Sequence, residues 1–457
     1  MSPTEVEQTP VNQSMTPMPS RDLESRDRPQ PIRHQVLDNG MVAIAVENPA
    51  AEIVSARIFV KAGTRCEPPK HAGLAHLLAA VMTKGTDQLS SMEIAERVES
   101  VGAGLMAETA SDYFLMGLKT VSADFAEILH LAAHLLRSPA FPELEVDLER
   151  RLAIQSIRSQ QEQPFAIAFN QLREAMYGEH PYARSSLGTE ESVLELTRDV
   201  LQHYHQTYFR PDNTVISLSG RIEPERAIAL VEQAFGDWEA PDTPIPQPQL
   251  PQIVPQPRST ITPRETQQSV IMLGYLAASV RGNGLPEQQW HDYSSLKLLT
   301  TYLGNGLSSR LFVELREKRG LAYDVSAIFP TRLDASSFVT YMGTAPSNTR
   351  IAFDGLRREV DRLREVVLSP GEVQAAKNKL LGQYALGKQT NAQIAQVYGW
   401  YETLGLGIDF DRKFTESVAA MSAEAIQQVA RRYLCDPYVS LVGPDVAVDE
   451  VKGLVVA

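Results

Sequence analysis

This sequence predicts an α+β fold of two homologous domains, each a mainly antiparallel sheet covered by helices on one face. Three observations carry the prediction. Asn39-Gly40 sits between alternating apolar residues, a strong hairpin marker, and is followed by long segments of helical period. Eight prolines between Ala240 and Pro263 interrupt all periodicity and read as an extended linker. Beyond them a pattern from the first half returns. Leu89 to Gly102 and Leu307 to Gly320 both read L-S-S-x-x-x-x-E-x-x-E-x-x-G, 218 residues apart. A serine N-cap and a closing glycine explain where such helices start and stop. They do not explain the identical spacing, so the halves are read as a duplication.

In chain order, residues 1–34 are rich in Pro, Gln, Ser, Thr and charge and predict a disordered tail. No apolar core marks this tail as a signal peptide, and Glu5, Glu7, Asp22, Glu24 and Asp27 argue against a transit peptide. The first domain, 35–239, opens with the hairpin from His34 to Val46 and a strand from Ile53 to Val60. Helices follow at about 73–84, 91–101, 122–137, 144–163, 165–177 and 197–208. A strand from Thr214 to Gly220 and a helix from Glu223 to Phe235 close it. The linker is placed at 240–263 and the second domain at 264–457. Glu143–Gly178 corresponds to Gly371–Gly405 across the repeat.

Composition is that of a globular protein, 43% hydrophobic and 22% charged. A net charge of −13 disfavours nucleic acid as a partner. No apolar run is long enough to span a membrane. Cys66 and Cys435 suggest free buried thiols rather than a disulfide framework. Cytoplasmic location in a bacterium fits these features best.

Gly73-Leu-Ala-His76-Leu-Leu-Ala79-Ala80-Val-Met-Thr-Lys84-Gly85-Thr86 has the frame of an inverted zinc-peptidase helix. In H-x-x-E-H the two histidines bind zinc from one helix face, and the Glu activates the attacking water. His76 stands at the first ligand position. Ala79 replaces the base and Ala80 the second ligand, and a methyl group can do neither task. The flanks Gly-Leu-Ala-His and Lys84-Gly85-Thr86 resemble the first active-site helix of the mitochondrial processing peptidase and pitrilysin family. The resemblance extends over about residues 35–440. It places the third ligand within the run from Glu149 to Arg158, at Ser156, or at Gln155 if the register slips by one. Neither residue is a first-rank zinc ligand.

The same resemblance singles out Leu315-Arg316-Glu-Lys-Arg319-Gly320-Leu-Ala-Tyr323, which is similar to L-R-x-K-x-G-L-x-Y in the second domain of that family. It implies that Arg316 and Tyr323 bind the substrate backbone and polarise the scissile carbonyl. Guanidinium and phenol both donate to an oxygen gaining negative charge. The plainer reading makes Arg316 a surface charge and Tyr323 a strand residue.

The nine histidines offer no obvious replacement metal site. His71 and His76 lie about 140° apart on a helix. His130 and His134 share a face but have no carboxylate between them, and His203 and His205 face apart. Leu303-Gly304-Asn305-Gly306-Leu307 is too short to cradle a nucleotide. The long glycine-rich substrate loop of the mitochondrial non-catalytic subunit is missing.

The resemblance therefore implies half of a clamshell: a zinc-less subunit with no cofactor of its own. It would pair with a homologous zinc-bearing peptidase subunit, bind an extended peptide and supply Arg316 and Tyr323. The rival expectation is an inert structural or peptide-binding subunit, like the core proteins of a respiratory complex that share the fold. A rebuilt metal site in this chain is a further rival.

Overall fold

The computed structural model describes residues 32–281 and 286–455. The hairpin forms as predicted, from β1 (Ile32–Val36) and β2 (Val42–Glu47). Asn39 also ties it to the rest of the domain, donating through Nδ2 to the carbonyls of Phe235 (2.7 Å) and Trp238 (3.1 Å). Then come β3 (Ile53–Val60), α1 (Leu74–Val81), α2 (Ser91–Ser100), β4 (Gly104–Thr109) and β5 (Phe114–Val121). The helices α3 (Phe125–Arg137), α4 (Glu143–Glu162), α5 (Pro164–Tyr177), α6 (Glu190–Leu194) and α7 (Arg198–Tyr208) follow. β6 (Thr214–Gly220) and α8 (Pro224–Phe235) end the half. The strand order is β1-β2-β6-β3-β5-β4, antiparallel throughout except where β2 meets β6.

The second half contains β7 (Ser259–Pro263), β8 (Ser269–Ala277), α9 (Pro286–Gly304), a π-helical segment (Phe312–Glu317), β9 (Asp324–Ile328) and β10 (Ser336–Thr344). It continues through α10 (Thr349–Glu365), α11 (Pro370–Leu386), α12 (Asn391–Thr403), α13 (Phe410–Ala420) and α14 (Ala423–Tyr433) to β11 (Tyr438–Gly443) and α15 (Asp445–Val455). Its order is β7-β11-β8-β10-β9, and only β7–β11 is parallel. With β1 set aside the two sheets match strand for strand, which makes the duplication structural. The repeated motif ends alike in both halves, with Gly102 at φ +61° and Gly320 at φ +62°.

The helix starts within that motif differ. Ser90 caps α2 in a reciprocal bond with Glu93. Ser308 does not cap; its Oγ accepts from Lys379 Nζ at 3.2 Å. The position matching Glu93 is Leu311, which has no side-chain acceptor to return the bond.

Several boundaries also move. Residues 1–31 of the expected tail lie outside the described residues, and 32–34 already belong to β1. The expected linker ends at Arg258, because Ser259–Pro263 pairs with β11. The β4–β5 hairpin was not anticipated, and Cys66 and Cys435 are free but only half-buried. Among the described residues no helix is long and apolar enough to cross a membrane.

The main correction concerns sheet coverage. Helices cover both faces, and the second cover is exchanged between halves. α5 belongs to the first half by sequence but lies on β8 and β11, whereas α12 lies on β3 and β6, their counterparts. β6 and β11 are buried at every residue, the signature of strands covered on both sides. The fit is close. A Cβ on Gly399 would stand 2.5 Å from the Phe59 ring, and one on Gly274 would stand 2.7 Å from Met176 Sδ. Leu172 and Met176 thereby join Val270, Met272 and Tyr438 in one core, and Ile394 joins Ile44, Phe59 and Val215 in another.

Candidate functional site

The zinc-motif helix is fully formed as α1. Leu74, Ala75, Leu77, Leu78 and Val81 bury its inner face, and the helix packs against α4 and the edge strand β4. Ala79 is buried, while His76 and Ala80 are half-buried, one turn apart. Burial lowers the His76 pKa below the usual imidazole value, opposed by the charge of Glu149 on α4. Glu149 is itself paired with Lys84, Oε1 to Nζ at 3.0 Å. Ser156 is exposed, and its hydroxyl donates back to the carbonyl of Leu152 at 2.9 Å; Gln155 is exposed as well. The residues at this place do not fit a zinc ion, since they offer one imidazole, two methyl groups and a hydroxyl turned onto its own helix. Among the described residues, no three of His, Cys, Asp and Glu are grouped to hold a metal elsewhere.

The start of α1 is held by a carboxylate from outside the helix. Glu67, 4% exposed, accepts from the backbone N–H of Gly73 at 3.1 Å and of Ala75 at 2.7 Å. Burial pushes its pKa up to about 8, against the lowering effect of those two bonds and of Arg184. The folded chain therefore holds a proton here that the unfolded chain releases near pH 4.5. This contribution to stability is complete below that pH and is lost as pH rises through about 8. Urea unfolding of wild type and Glu67→Gln should show it: the wild type's stability relative to the variant declines between pH 5 and pH 8.5. A difference that grows with pH would refute the assignment.

Arg316 and Tyr323 are brought together in the second half. Arg316 lies in the π-helical segment, where the Lys318 N–H reaches back to Val313 at 3.0 Å, one residue farther than in an α-helix. Short π segments often occur at functional sites. Its guanidinium donates to the carbonyl of Tyr323 at 2.8 Å and lies over the Phe312 ring, 5.0 Å from the centroid. The backbone N–H of Tyr323 donates to Gly343 at 2.9 Å, just before β9, and the side chain is 61% exposed. Both residues therefore stand at the free edge of the second sheet. In the first sheet the matching edge is β4, against which α1 packs.

The histidines serve other ends. His71 ends a short 3-10 turn before α1. His134 pairs with Asp87 at 2.6 Å. His205 is buried, bonded to the Leu136 carbonyl at 2.8 Å, and burial lowers its pKa to about 4.

A buried polar cluster at the seam of the two halves escaped the sequence reading. Tyr182 donates to Asp112 at 2.6 Å, and the Leu333 N–H reaches the other carboxylate oxygen at 3.4 Å. Arg65 lies 3.6 Å from Asp112 and 3.0 Å from Asp334, and His180, 2% exposed, lies 3.7 Å from Asp334. Arg332 stacks over Tyr182 at 4.6 Å. No local spacing links residues so distant in sequence; the only available hint was a run of charge, Arg332 and Asp334, between two strands.

Comparison with known proteins places this geometry. Residues 42–190 match the sequence model described as Insulinase (Peptidase family M16), and residues 195–380 match the Peptidase M16 inactive domain. The chain is similar to an uncharacterized zinc protease of Streptomyces coelicolor, 26% identical with 90% of each chain covered. It is also similar to one of Bacillus subtilis, 26% identical over 90% of this chain and 98% of the other. Among solved structures, a protease from Helicobacter pylori superposes with a TM-score of 0.83 at 20% identity, covering 90% of this chain and 99% of that one. A peptidase M16 inactive domain from Pseudomonas fluorescens gives 0.82 at 23%, covering 90% and 98%. Two domains of one duplicated fold, a zinc-motif helix folded without its ligands, and family matches to both halves agree: the chain belongs to the M16 peptidase family.

Proposed function

We propose that this chain is the zinc-less subunit of a heterodimeric, processing-type metallopeptidase of the bacterial cytoplasm. It forms half of the enclosing chamber, holds an extended peptide by strand addition at a sheet edge, and supplies Arg316 and Tyr323 to the zinc site of a homologous partner. One observation carries the reading. The chain keeps a complete motif helix with Ala79 and Ala80 at its functional positions, while at the matching edge of the other sheet Arg316 is fixed onto the backbone of an exposed Tyr323. In this reading the chain holds no cofactor, and the zinc belongs to the partner. A guanidinium already seated on a carbonyl and a ring has fewer conformations to lose when it meets a substrate oxygen.

Metal analysis and sizing chromatography test this together. After dialysis the purified chain is expected to contain no stoichiometric zinc and to hydrolyse nothing. Mixed with a homologue bearing intact H-x-x-E-H, it should elute as a 1:1 complex with one zinc per pair. Tightly held zinc in every isolated chain, or failure to pair with any such homologue, would overturn the reading.

A further inference from the structure

Away from the α1 and Arg316 regions, a cavity of about 580 Å³ lies between α4, α5 and the segment 178–192, closed on the far side by Arg264 beyond β7. Two of its lining residues are arginines with donors that the protein leaves unused. Arg173, on α5, gives Nη2 to Asn170 Oδ1 at 2.6 Å and lies 5.3 Å from the Phe169 ring centroid. Its Nε is buried and has no acceptor among the described residues. Arg184 gives Nη2 to the Glu67 carbonyl at 3.4 Å, and its Nη1 is likewise buried without an acceptor. A buried guanidinium with an idle N–H is costly, because desolvation removes water without returning a partner.

The charge around the cavity decides the kind of ligand. Burial first, then repulsion from Arg332, lowers the Arg173 pKa to about 10, so this cation lacks a compensating anion. Glu174 lines the same cavity and Glu67 lies near Arg184, which reduces the surplus from the three arginines. A singly charged group suits this balance better than a phosphate. Ile157 and Ile167 add apolar wall beside the amide of Gln161, as a peptide end requires, and the volume admits two or three residues.

We propose that this cavity binds the C-terminal carboxylate of a short peptide, with Arg173 and Arg184 as its anion clamp. Arginine is suited to this task because its planar fork matches the two carboxylate oxygens. The cavity lies within one chain, so the proposal stands whether or not a zinc-bearing partner exists. It also gives a physical reason for two unsatisfied guanidinium groups to converge at the seam of the halves.

Calorimetric titration of the full chain with trialanine, trialanine amide and inorganic phosphate tests it. Trialanine is expected to bind, with the amide about tenfold weaker, in line with the loss of a charge-assisted bond. Arg184→Gln should weaken trialanine binding by a similar factor with the melting temperature preserved. Arg173→Lys, which keeps the charge but loses the fork, should also weaken it and guards against a misfolded glutamine variant. Equal binding of acid and amide, phosphate binding without trialanine binding, no heat from trialanine at millimolar concentration, or wild-type binding by both folded variants would each overturn the proposal.

Discussion

Paired with a homologue that carries an intact zinc motif, the wild-type chain switches peptide hydrolysis on, and Arg316→Ala or Tyr323→Phe lowers turnover by about 10²–10³-fold, as loss of one oxyanion-stabilising donor does. The fall is expected in kcat rather than KM, because these bonds strengthen as the carbonyl oxygen gains charge. The geometry separates the two variants. Removing the Arg316 guanidinium also frees the Tyr323 carbonyl, so that alanine variant loses a donor and the anchor of its neighbour. Tyr323→Phe leaves the anchor in place and removes only the phenolic O–H. Arg316→Ala should therefore be the more damaging, and Arg316→Lys should rescue little, since an ammonium cannot span carbonyl, ring and substrate as a planar fork does. Complex formation and partner zinc should be unchanged in both. Normal turnover by both variants in an intact complex would leave the chain as an inert wall of the chamber.

Asp112→Ala is expected to destabilise the folded chain by about 3–5 kcal/mol, the usual cost of removing one partner from a buried charge cluster. Asp112 is the acceptor on which the seam converges: Tyr182 O–H, Leu333 N–H and the Arg65 guanidinium all face it. Deleting it leaves those donors buried, whereas Tyr182→Phe removes a donor together with its need for a partner and should cost about 1 kcal/mol. Urea unfolding of the two variants would check the order. Because Leu333 and Asp334 come from the second half, Asp112→Ala should also raise amide exchange in the loop after β9. Equal effects of the two substitutions would mean that the cluster is held by packing rather than by charge.

What could be read without coordinates was local. The Asn39-Gly40 hairpin, most helix spans of the first half, the repeated L-S-S motif and the alanines at 79 and 80 each lie within one short window, where backbone periodicity and side-chain chemistry speak directly. The resemblance added a reason to look at Arg316 and Tyr323, a pair that residue types alone would have passed over. One-sided sheet cover was the chief misreading. An α5 rich in Ala, Phe and Leu looks the same whether it covers its own sheet or the next, and nothing in its period names the partner. Strand pairing decided that matter, because β6 and β11 bury both faces and only the exchanged helices fill the second. The sequence by itself therefore determined the duplicated α+β architecture and the loss of the zinc-binding side chains. Tertiary structure alone decided the exchange of α5 and α12, the Asp112 seam, the bond from Arg316 to the Tyr323 carbonyl and the arginine-lined cavity. Most of these depend on contacts between residues scores to hundreds of positions apart, and even the Arg316 bond requires a π turn and β9 to fold against each other, which chain order does not encode locally.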